Sequence, residues 1–219
     1  MITLNTLAAG NEDFRQFADR VTEIALQHRP DTVEALSQLP YGDGVMIEEA
    51  RKNLVAKMGE NLQIRRIAVL EGNEKIAHYV HNGRIGALVK TEAATDALSK
   101  DLAMQVVASH PLTVDSSDIP EELIAKEREI FSEQAKASGK PANIVEKMIE
   151  GRIEKFKNEM SLLGQPFVKD PSLSVQQLLQ QSNAKVIQFI RFEVGEGIEK
   201  VTTDFAEEVM KQAQAATQN

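Results

Sequence analysis

One stretch of sequence occurs twice in this chain, once in each half. Residues 54–72 (LVAKMGENLQIRRIAVLEG) align position for position with residues 179–197 (LQQSNAKVIQFIRFEVGEG). The matched pairs include Leu54 and Leu179, Leu62 and Ile187, Arg66 and Arg191, Val69 and Val194, Glu71 and Glu196, and Gly72 and Gly197. Each copy has the pattern of a helix end, a turn and a strand that stops at a glycine. The repeat therefore predicts two related α/β units.

The sequence around the second copy predicts a complete unit. Asn82-Gly83 lies between two apolar runs and predicts a β-hairpin, because this dipeptide tolerates positive φ at both central turn positions. A helix is predicted over 95–109, where it ends before a proline. A short helix over 174–182 and a strand over 186–197 complete the unit. We therefore expect a small antiparallel sheet with helices packed on it.

The sequence around the first copy predicts an incomplete unit. Helices are predicted over 11–27, 31–39 and 45–58, with a loop at 40–44 and a strand over 62–72. Asn11 and Asp31 are the expected N-caps of the first two helices. Only MITLNTLAAG precedes them, which is too short for two strands and a turn. We therefore expect an N-terminally truncated or divergent version of a longer protein.

Residues 120–162 have a different pattern, that of two long and heavily charged helices. Pro120 and Pro141 lie where each helix should begin, and Gly139 should close the first. Each helix has a narrow, mainly apolar stripe. The stripe of the first helix contains Ile124, Glu127, Phe131 and Ala135. The stripe of the second contains Ile144, Met148, Ile153, Phe156 and Met160. Helices of this kind should pair with each other as a projecting antiparallel coiled-coil hairpin.

These patterns together predict an α+β fold. It has two related subdomains with small antiparallel sheets and packed helices, an inserted antiparallel coiled-coil hairpin and a C-terminal helix. The expected divisions are 1–75 for the incomplete first subdomain, 76–119 with 163–197 for the second, 120–162 for the hairpin and 198–219 for a C-terminal helical module.

Composition excludes several classes of function. The chain has no cysteine, which excludes disulfides, thiol catalysis and thiolate metal sites. A net charge of −8 argues against general nucleic-acid or membrane-surface binding. The N-terminus has no signal-peptide pattern, so a cytoplasmic protein without membrane contact is expected. His78 and His81 should point to opposite faces of a strand, so no metal site is expected.

No pattern in the sequence indicates catalysis. GEGIEK at 195–200 joins a strand to a helix as a phosphate loop would, but Glu196 and Glu199 would repel a phosphate. Arg65 and Arg66 could bind an anion, although the recurrence of Arg66 as Arg191 favours a structural role. The paired glutamates have the pattern of solvated helix faces, and no serine has a nucleophile-elbow context. The sequence thus favours a binding protein without catalytic residues, cofactor or metal.

Five segments together resemble bacterial elongation factor Ts. They are ENLQIRRIAVLEG, HNGRIGALV, GKPANIVEKMIEGRIEKF, LLGQPFVKDPSLSVQQLL and FIRFEVGEGIEK. The resemblance covers residues 11–210. It implies a guanine-nucleotide exchange factor that binds elongation factor Tu with GDP. Such a factor promotes exchange of GDP for GTP by weakening nucleotide and Mg²⁺ binding, and it is not an enzyme.

The resemblance also implies a partner-binding site. The residues that it assigns to contact with elongation factor Tu are Thr6, Leu7, Arg84, Ile85, Gly86, Met104 and Gln105. Arg84 to Gly86 match an Arg-Ile-Gly turn that the family has at the tip of the first subdomain. Thr6 and Leu7 lie where the family has a Thr-Asp-Phe-Val wedge, so the acidic residue and the aromatic ring are replaced. Gln105 stands where the family has a histidine.

Two alternatives to an active exchange factor follow from these differences. The first is a truncated or decayed copy that binds elongation factor Tu with little or no exchange activity. The second is a coiled-coil scaffold unrelated to translation, which the density of family motifs disfavours.

Overall fold

The structure, a computed structural model, describes residues 11–136 and 141–196. These residues form helices α1 (Glu12–His28), α2 (Val33–Ser37), α3 (Ile47–Met58), α4 (Asp96–Ser109), α5 (Glu121–Lys136), α6 (Ala142–Met160) and α7 (Val175–Gln181). They also form strands β1 (Pro40–Gly42), β2 (Val45–Met46), β3 (Lys75–His81), β4 (Ile85–Glu92), β5 (Pro166–Phe167), β6 (Asp170–Ser174) and β7 (Lys185–Glu193). The expected α+β class is confirmed. The helix predicted after residue 197 lies outside the described residues.

The first three helices form a small core. Asn11 caps α1 as predicted, because its side chain accepts hydrogen bonds from the backbone N–H groups of Asp13 (2.9 Å) and Phe14 (3.4 Å). Gly59 ends α3 in the left-handed conformation, with φ +70°. The buried residues of this small core are Phe14, Phe17, Val21, Ile24, Leu36, Ile47, Leu54 and Leu62.

Two local predictions for this region are wrong. The loop predicted at 40–44 is a tiny β-hairpin of β1 and β2, which turns through Asp43 (φ +50°) and Gly44 (φ +78°). The second helix is shorter than predicted, and Thr32 rather than Asp31 caps it, through a hydrogen bond from the backbone N–H of Ala35 (3.1 Å). Both errors concern short segments, in which one residue decides the boundary.

The strand predicted for the first copy of the repeat is also wrong over most of its length. Residues 64–71 have no regular secondary structure, whereas the second copy forms β7. No described strand pairs with residues 64–71, so nothing there supplies the ladder of hydrogen bonds that a strand requires. Ile64 and Ile67 instead pack against the small core.

The main sheet is antiparallel, with strand order β3-β4-β7. Asn82 (φ +51°) and Gly83 (φ +67°) turn β3 into β4, which confirms the predicted hairpin. Val89 of β4 lies opposite Ala77 of β3 on one side and opposite Phe189 of β7 on the other. The sequence-distant β7 thus completes a sheet that begins as a local hairpin.

Helix α4 covers one face of this sheet and forms the large core. Alternate residues of β4 point toward α4, and Ala87 (4% exposed), Val89 (0%) and Thr91 (0%) are buried there. The Thr91 and Ser99 hydroxyl groups are 2.7 Å apart, so this buried polar pair is satisfied. The buried residues of the large core are Ala87, Val89, Ala94, Leu102, Ala103, Val106, Val107, Leu162, Phe167, Val175, Leu179, Ala184 and Val186.

Helices α5 and α6 pair as an antiparallel helical hairpin, as the sequence predicts. The Arg152 guanidinium lies 5.4 Å from the centre of the Phe131 ring and donates a hydrogen bond to Gln134 Oε1 (2.7 Å). Of the predicted stripe of α6, Ile153 is buried (4% exposed), whereas Ile144 is 44% exposed. Only a narrow stripe of each helix is apolar. The remaining positions face solvent and are mostly charged.

Backbone hydrogen bonds fix the base of this helical hairpin to the large core. The N–H of Leu112 donates to the carbonyl of Met160 (2.7 Å), and the N–H of Leu162 donates to the carbonyl of Thr113 (2.9 Å). The two chain segments that enter and leave the hairpin therefore lie side by side. Leu162 itself is fully buried in the large core.

Two glycines, Gly164 near this base and Gly151 within α6, give a direct test of the packing. A Cβ at Gly164 would lie 2.7 Å from the Cα of Asn158, so Gly164→Ala should lower the free energy of unfolding by about 1–3 kcal/mol. Gly151 lies within α6, and an added Cβ there would point into open space, so Gly151→Ala should raise the free energy of unfolding by about 0.5–1 kcal/mol. Urea denaturation would measure both, and equal effects of the two substitutions would contradict the packing described.

Candidate partner-binding site

The tip of the β3–β4 hairpin presents one exposed arginine on a constrained backbone. Arg84 is exposed, and its N–H donates to the carbonyl of His81 (3.0 Å) across the Asn82-Gly83 turn. Its own carbonyl accepts a hydrogen bond from the N–H of Val194 (2.8 Å), just beyond β7. The side chain is therefore free to reach a partner while both sides of the backbone are held.

The next two residues belong to a strand rather than to the turn. Ile85 and Gly86 are the first residues of β4, and they lie opposite Glu193 and Phe192 of β7. Ile85 is half-buried and packs against the large core. Of the predicted Arg-Ile-Gly turn, only Arg84 lies in the turn, because the three-residue loop ends there.

Helix α4 packs on the sheet that carries this tip. The Lys75 ammonium lies 2.7 Å from the Asp96 carboxylate, and this hydrogen bond and charge hold the pKa of Asp96 below its ordinary value. Together with the contact between Thr91 and Ser99, it fixes the start of α4 to the far end of the hairpin. From this start, α4 packs on β3 and β4, and Met104, in its C-terminal half, is half-buried.

Gln105 is fully buried and makes hydrogen bonds through both ends of its amide. Its Oε1 accepts from the N–H of Val168 (2.8 Å). Its Nε2 is within hydrogen-bond distance of Ser109 Oγ (2.9 Å), Gln165 Oε1 (3.2 Å) and the carbonyl of Pro166 (3.2 Å). The amide thus holds the turn before and after β5 against α4.

Gln165 extends this network to the helical hairpin. It is 4% exposed, and its Nε2 donates to the carbonyls of Ser109 (3.1 Å) and Glu159 (2.8 Å). The two glutamines therefore join the end of α4, the end of α6 and β5 by side-chain amides. Buried polar groups that are fully paired in this way fix one arrangement of the elements around them.

The turn after β7 binds the first half of the chain. The Arg66 Nη2 donates to Glu196 Oε2 (2.7 Å), and the Arg65 Nη1 donates to the carbonyl of Glu196 (2.9 Å). The Arg66 guanidinium lies 4.5 Å from the centre of the Phe192 ring. The glycine-rich sequence at the end of β7 is thus a turn that receives two arginines, with Gly195 at φ +82°.

Comparison with known proteins gives a consistent family assignment. The family model described as Elongation factor TS matches residues 7–196. A protein from Legionella pneumophila (strain Lens) is 49% identical over 215 residues, which are 97% of this chain and 74% of the relative. One from Methylococcus capsulatus is 52% identical over 209 residues, 95% of this chain and 71% of the relative. Both are named Elongation factor Ts. The chain belongs to the elongation factor Ts family.

As a member of this family, the protein is a translation elongation factor. The family assignment confirms the resemblance found in the sequence. A relative from Francisella tularensis subsp. novicida with the same name is 47% identical over 204 residues, 93% of this chain and 70% of the relative. Within residues 11–136 and 141–196, no helix combines the length and the apolar character needed to cross a membrane.

The structure places the residues assigned from the elongation factor Ts resemblance in three kinds of environment. Arg84 is exposed, and Met104 is half-buried. Gln105 is internal, because its whole side chain is buried and bonded within the chain, so its effect on a partner would be indirect. Thr6 and Leu7 lie outside the described residues.

The pairing of Arg66 with Glu196 has no signature in the sequence. The repeat aligns Arg66 with Arg191, but the two side chains have different surroundings. The Arg191 side chain is 7% exposed and bonds to Glu193 two residues away (2.7 Å), whereas Arg66 reaches across to the other half of the chain. The repeat gave no signal for this contact, since it aligns Glu196 with Glu71 instead of with an arginine.

Proposed function

We propose that this protein binds elongation factor Tu and accelerates the exchange of its GDP for GTP. The observation that supports this most directly is the match of residues 7–196 to the elongation factor Ts family. The named relatives, each at about half identity over nearly the whole chain, support it as well.

The physical basis of this activity is thermodynamic linkage. If the protein prefers the nucleotide-free form of elongation factor Tu, it weakens GDP and Mg²⁺ binding by the factor by which they weaken its own binding. Such a protein supplies a surface and no reactive group. It needs no cofactor, makes no direct contact with nucleic acid or membrane, and acts in the cytoplasm, where translation takes place.

The constrained hairpin tip suits this role. Arg84 is exposed, while its backbone N–H and carbonyl are both hydrogen-bonded within the protein. Because this backbone is already held, binding through Arg84 costs little backbone conformational entropy, which favours affinity. We therefore assign Arg84 as a contact residue, with Ile85, Gly86 and Met104 supporting the same surface, and Thr6 and Leu7 as further contacts of the proposed interface.

Release of a fluorescent GDP from elongation factor Tu tests the proposal. The full chain should accelerate release at saturation, because its binding weakens that of GDP. Arg84→Ala should reduce this acceleration. The matched control is Lys57→Ala, which removes an exposed cation that pairs with Asp13 in the small core (2.6 Å). No acceleration by the unaltered chain would contradict exchange activity.

The alternative, binding with little or no exchange, has support at one place in the sequence. Asn5, Thr6, Leu7 and Ala8 lack the acidic and aromatic residues of the wedge that the resemblance implies. Calorimetric titration of elongation factor Tu with the full chain separates the cases. Binding without acceleration of GDP release would favour the alternative, and the absence of binding would overturn both.

A further inference from the structure

The small core and the main sheet face each other across an open apolar cleft. Phe14, Ala18 and Thr22 of α1 line one side, and Leu88 and Ile190 of the sheet line the other. The cleft has a volume of about 520 Å³, and a neighbouring one of about 330 Å³ lies beside it. The buried residues of the two parts form two separate clusters on either side of the cleft, so close packing contributes little to fixing how the parts lie relative to each other.

A set of polar contacts spans the two parts at one end of this cleft. We call Arg65, Arg66, Phe192 and Glu196 the clasp. Arg66 donates to the Glu196 carboxylate (2.7 Å), Arg65 donates to the Glu196 carbonyl (2.9 Å), and the Arg66 guanidinium stacks on Phe192 at 4.5 Å. A charge-assisted hydrogen bond together with a cation–π contact is strongly directional, so it can set an orientation that apolar packing leaves open.

Each side of the clasp is anchored in its own part of the molecule. Ile64 and Ile67 flank the two arginines and pack against the small core. On the other side, the Glu196 carboxylate also accepts a hydrogen bond from the N–H of Glu193 (3.2 Å), at the end of β7. The same turn contains Val194, which donates to the carbonyl of Arg84. The clasp therefore joins the small core to the end of the sheet that holds the hairpin tip.

The charge of Glu196 is maintained within this arrangement. Its side chain is 34% exposed, and that of Arg66 is 48% exposed. Burial acts to raise the pKa of Glu196, but the hydrogen bond and charge of Arg66, the Glu193 N–H and the charge of Arg191 together lower it below the ordinary value. The carboxylate is thus ionised at neutral pH, where the proposed partner would be met.

We propose that the clasp fixes the orientation of the small core relative to the hairpin tip, and thereby sets the affinity of the protein for its partner. The second part rests on the proposed function, binding of elongation factor Tu. Arg66 and Glu196 are positioning residues in this proposal, since they act through the placement of two surfaces. The partner would have to contact both parts at once, as a wide interface does.

Distance measurements on the free chain test the first part. The chain has no cysteine, so Gln27→Cys on α1 and Lys100→Cys on α4, both exposed, accept one spin label each. Double electron–electron resonance should give a narrow distance distribution for this pair. Arg66→Met and Glu196→Gln should each broaden or shift it. The matched control is Lys57→Met, which breaks the exposed ion pair between α3 and Asp13 of α1 and should leave the distribution unchanged. Equal distributions in all four proteins would overturn the proposal.

Affinity for elongation factor Tu tests the second part. Arg66→Met and Glu196→Gln should each weaken binding by roughly 5- to 10-fold. The double variant should weaken it no more than Arg66→Met alone, because the pair between Arg66 and Glu196 is already lost in that variant. Arg66→Lys, which keeps the charge, should recover part of the loss. Lys57→Met should bind like the unaltered chain. A changed distance distribution with unchanged affinity would overturn the second part.

The two experiments also separate the clasp from the proposed function. If the unaltered chain fails to bind elongation factor Tu, the proposed function is wrong, while the distance distributions still decide whether the clasp orients the two parts.

Discussion

Leu102→Ala should lower the free energy of unfolding by about 3–5 kcal/mol. Leu102 is 0% exposed and lies in α4 at the centre of the large core, where it belongs to one cluster with Val89, Val106 and Leu162. Removing its branched end takes away the transfer free energy of the lost atoms and leaves a cavity that the surrounding sheet and helices cannot close. A domain is stable by only about 5–15 kcal/mol, so the loss would be a large fraction of the total.

Urea denaturation followed by circular dichroism measures this loss. The urea concentration at the midpoint of the transition should fall. The slope of the unfolding free energy against urea concentration should stay the same, since the surface exposed on unfolding hardly changes. Leu26→Ala is the matched control, because Leu26 is 64% exposed on α1 and should change the free energy of unfolding by less than about 0.5 kcal/mol. Similar losses for both leucines would contradict the assignment of Leu102 to the core.

Gln105→Met should cost about 2–4 kcal/mol of unfolding free energy, although methionine has nearly the same shape and is more apolar. The substitution leaves the N–H of Val168, the Oε1 of Gln165 and the carbonyl of Pro166 without the partner seen in the structure. A buried polar group that loses its partner keeps the full cost of desolvation, which exceeds the gain from a more apolar side chain.

A double-mutant cycle distinguishes this network from ordinary packing. Gln105→Met with Gln165→Met removes both amides of one network, so the double loss should be smaller than the sum of the two single losses. Gln176→Met is the control, because Gln176 is exposed on α7 and should have little effect. Strictly additive losses would show that the two amides do not act together. A neutral Gln105→Met would show that the amide is not needed at all.

Features governed by neighbouring residues could be predicted from the sequence. Asn11 caps α1 as predicted, α3 ends at Met58, where the predicted helix over 45–58 ends, and α7 begins after Ser174, the first residue of the predicted helix over 174–182. The Asn82-Gly83 turn is likewise where the sequence places it. In each case the deciding interaction is between residues at most four positions apart, so local rules are sufficient.

The strand predicted over 62–72 failed because a strand depends on a neighbour. Its sequence is as β-branched as that of β7, and the repeat aligns the two. Yet β7 lies beside β4, while residues 64–71 have no described strand beside them. Sequence similarity between two segments preserves their propensity but does not supply the partner that satisfies the backbone.

For the candidate site, the sequence determined the family resemblance and the position of the hairpin turn that contains Arg84, because both depend on contiguous residues. Only the tertiary structure decided that Gln105 is internal and that Arg66 meets Glu196, which is 130 positions away. A charged or polar side chain has the same sequence signature whether it faces solvent, a partner or a distant part of its own chain. Which of these it meets is fixed by how the helices and strands pack, and that packing sums many weak contacts between residues far apart in sequence.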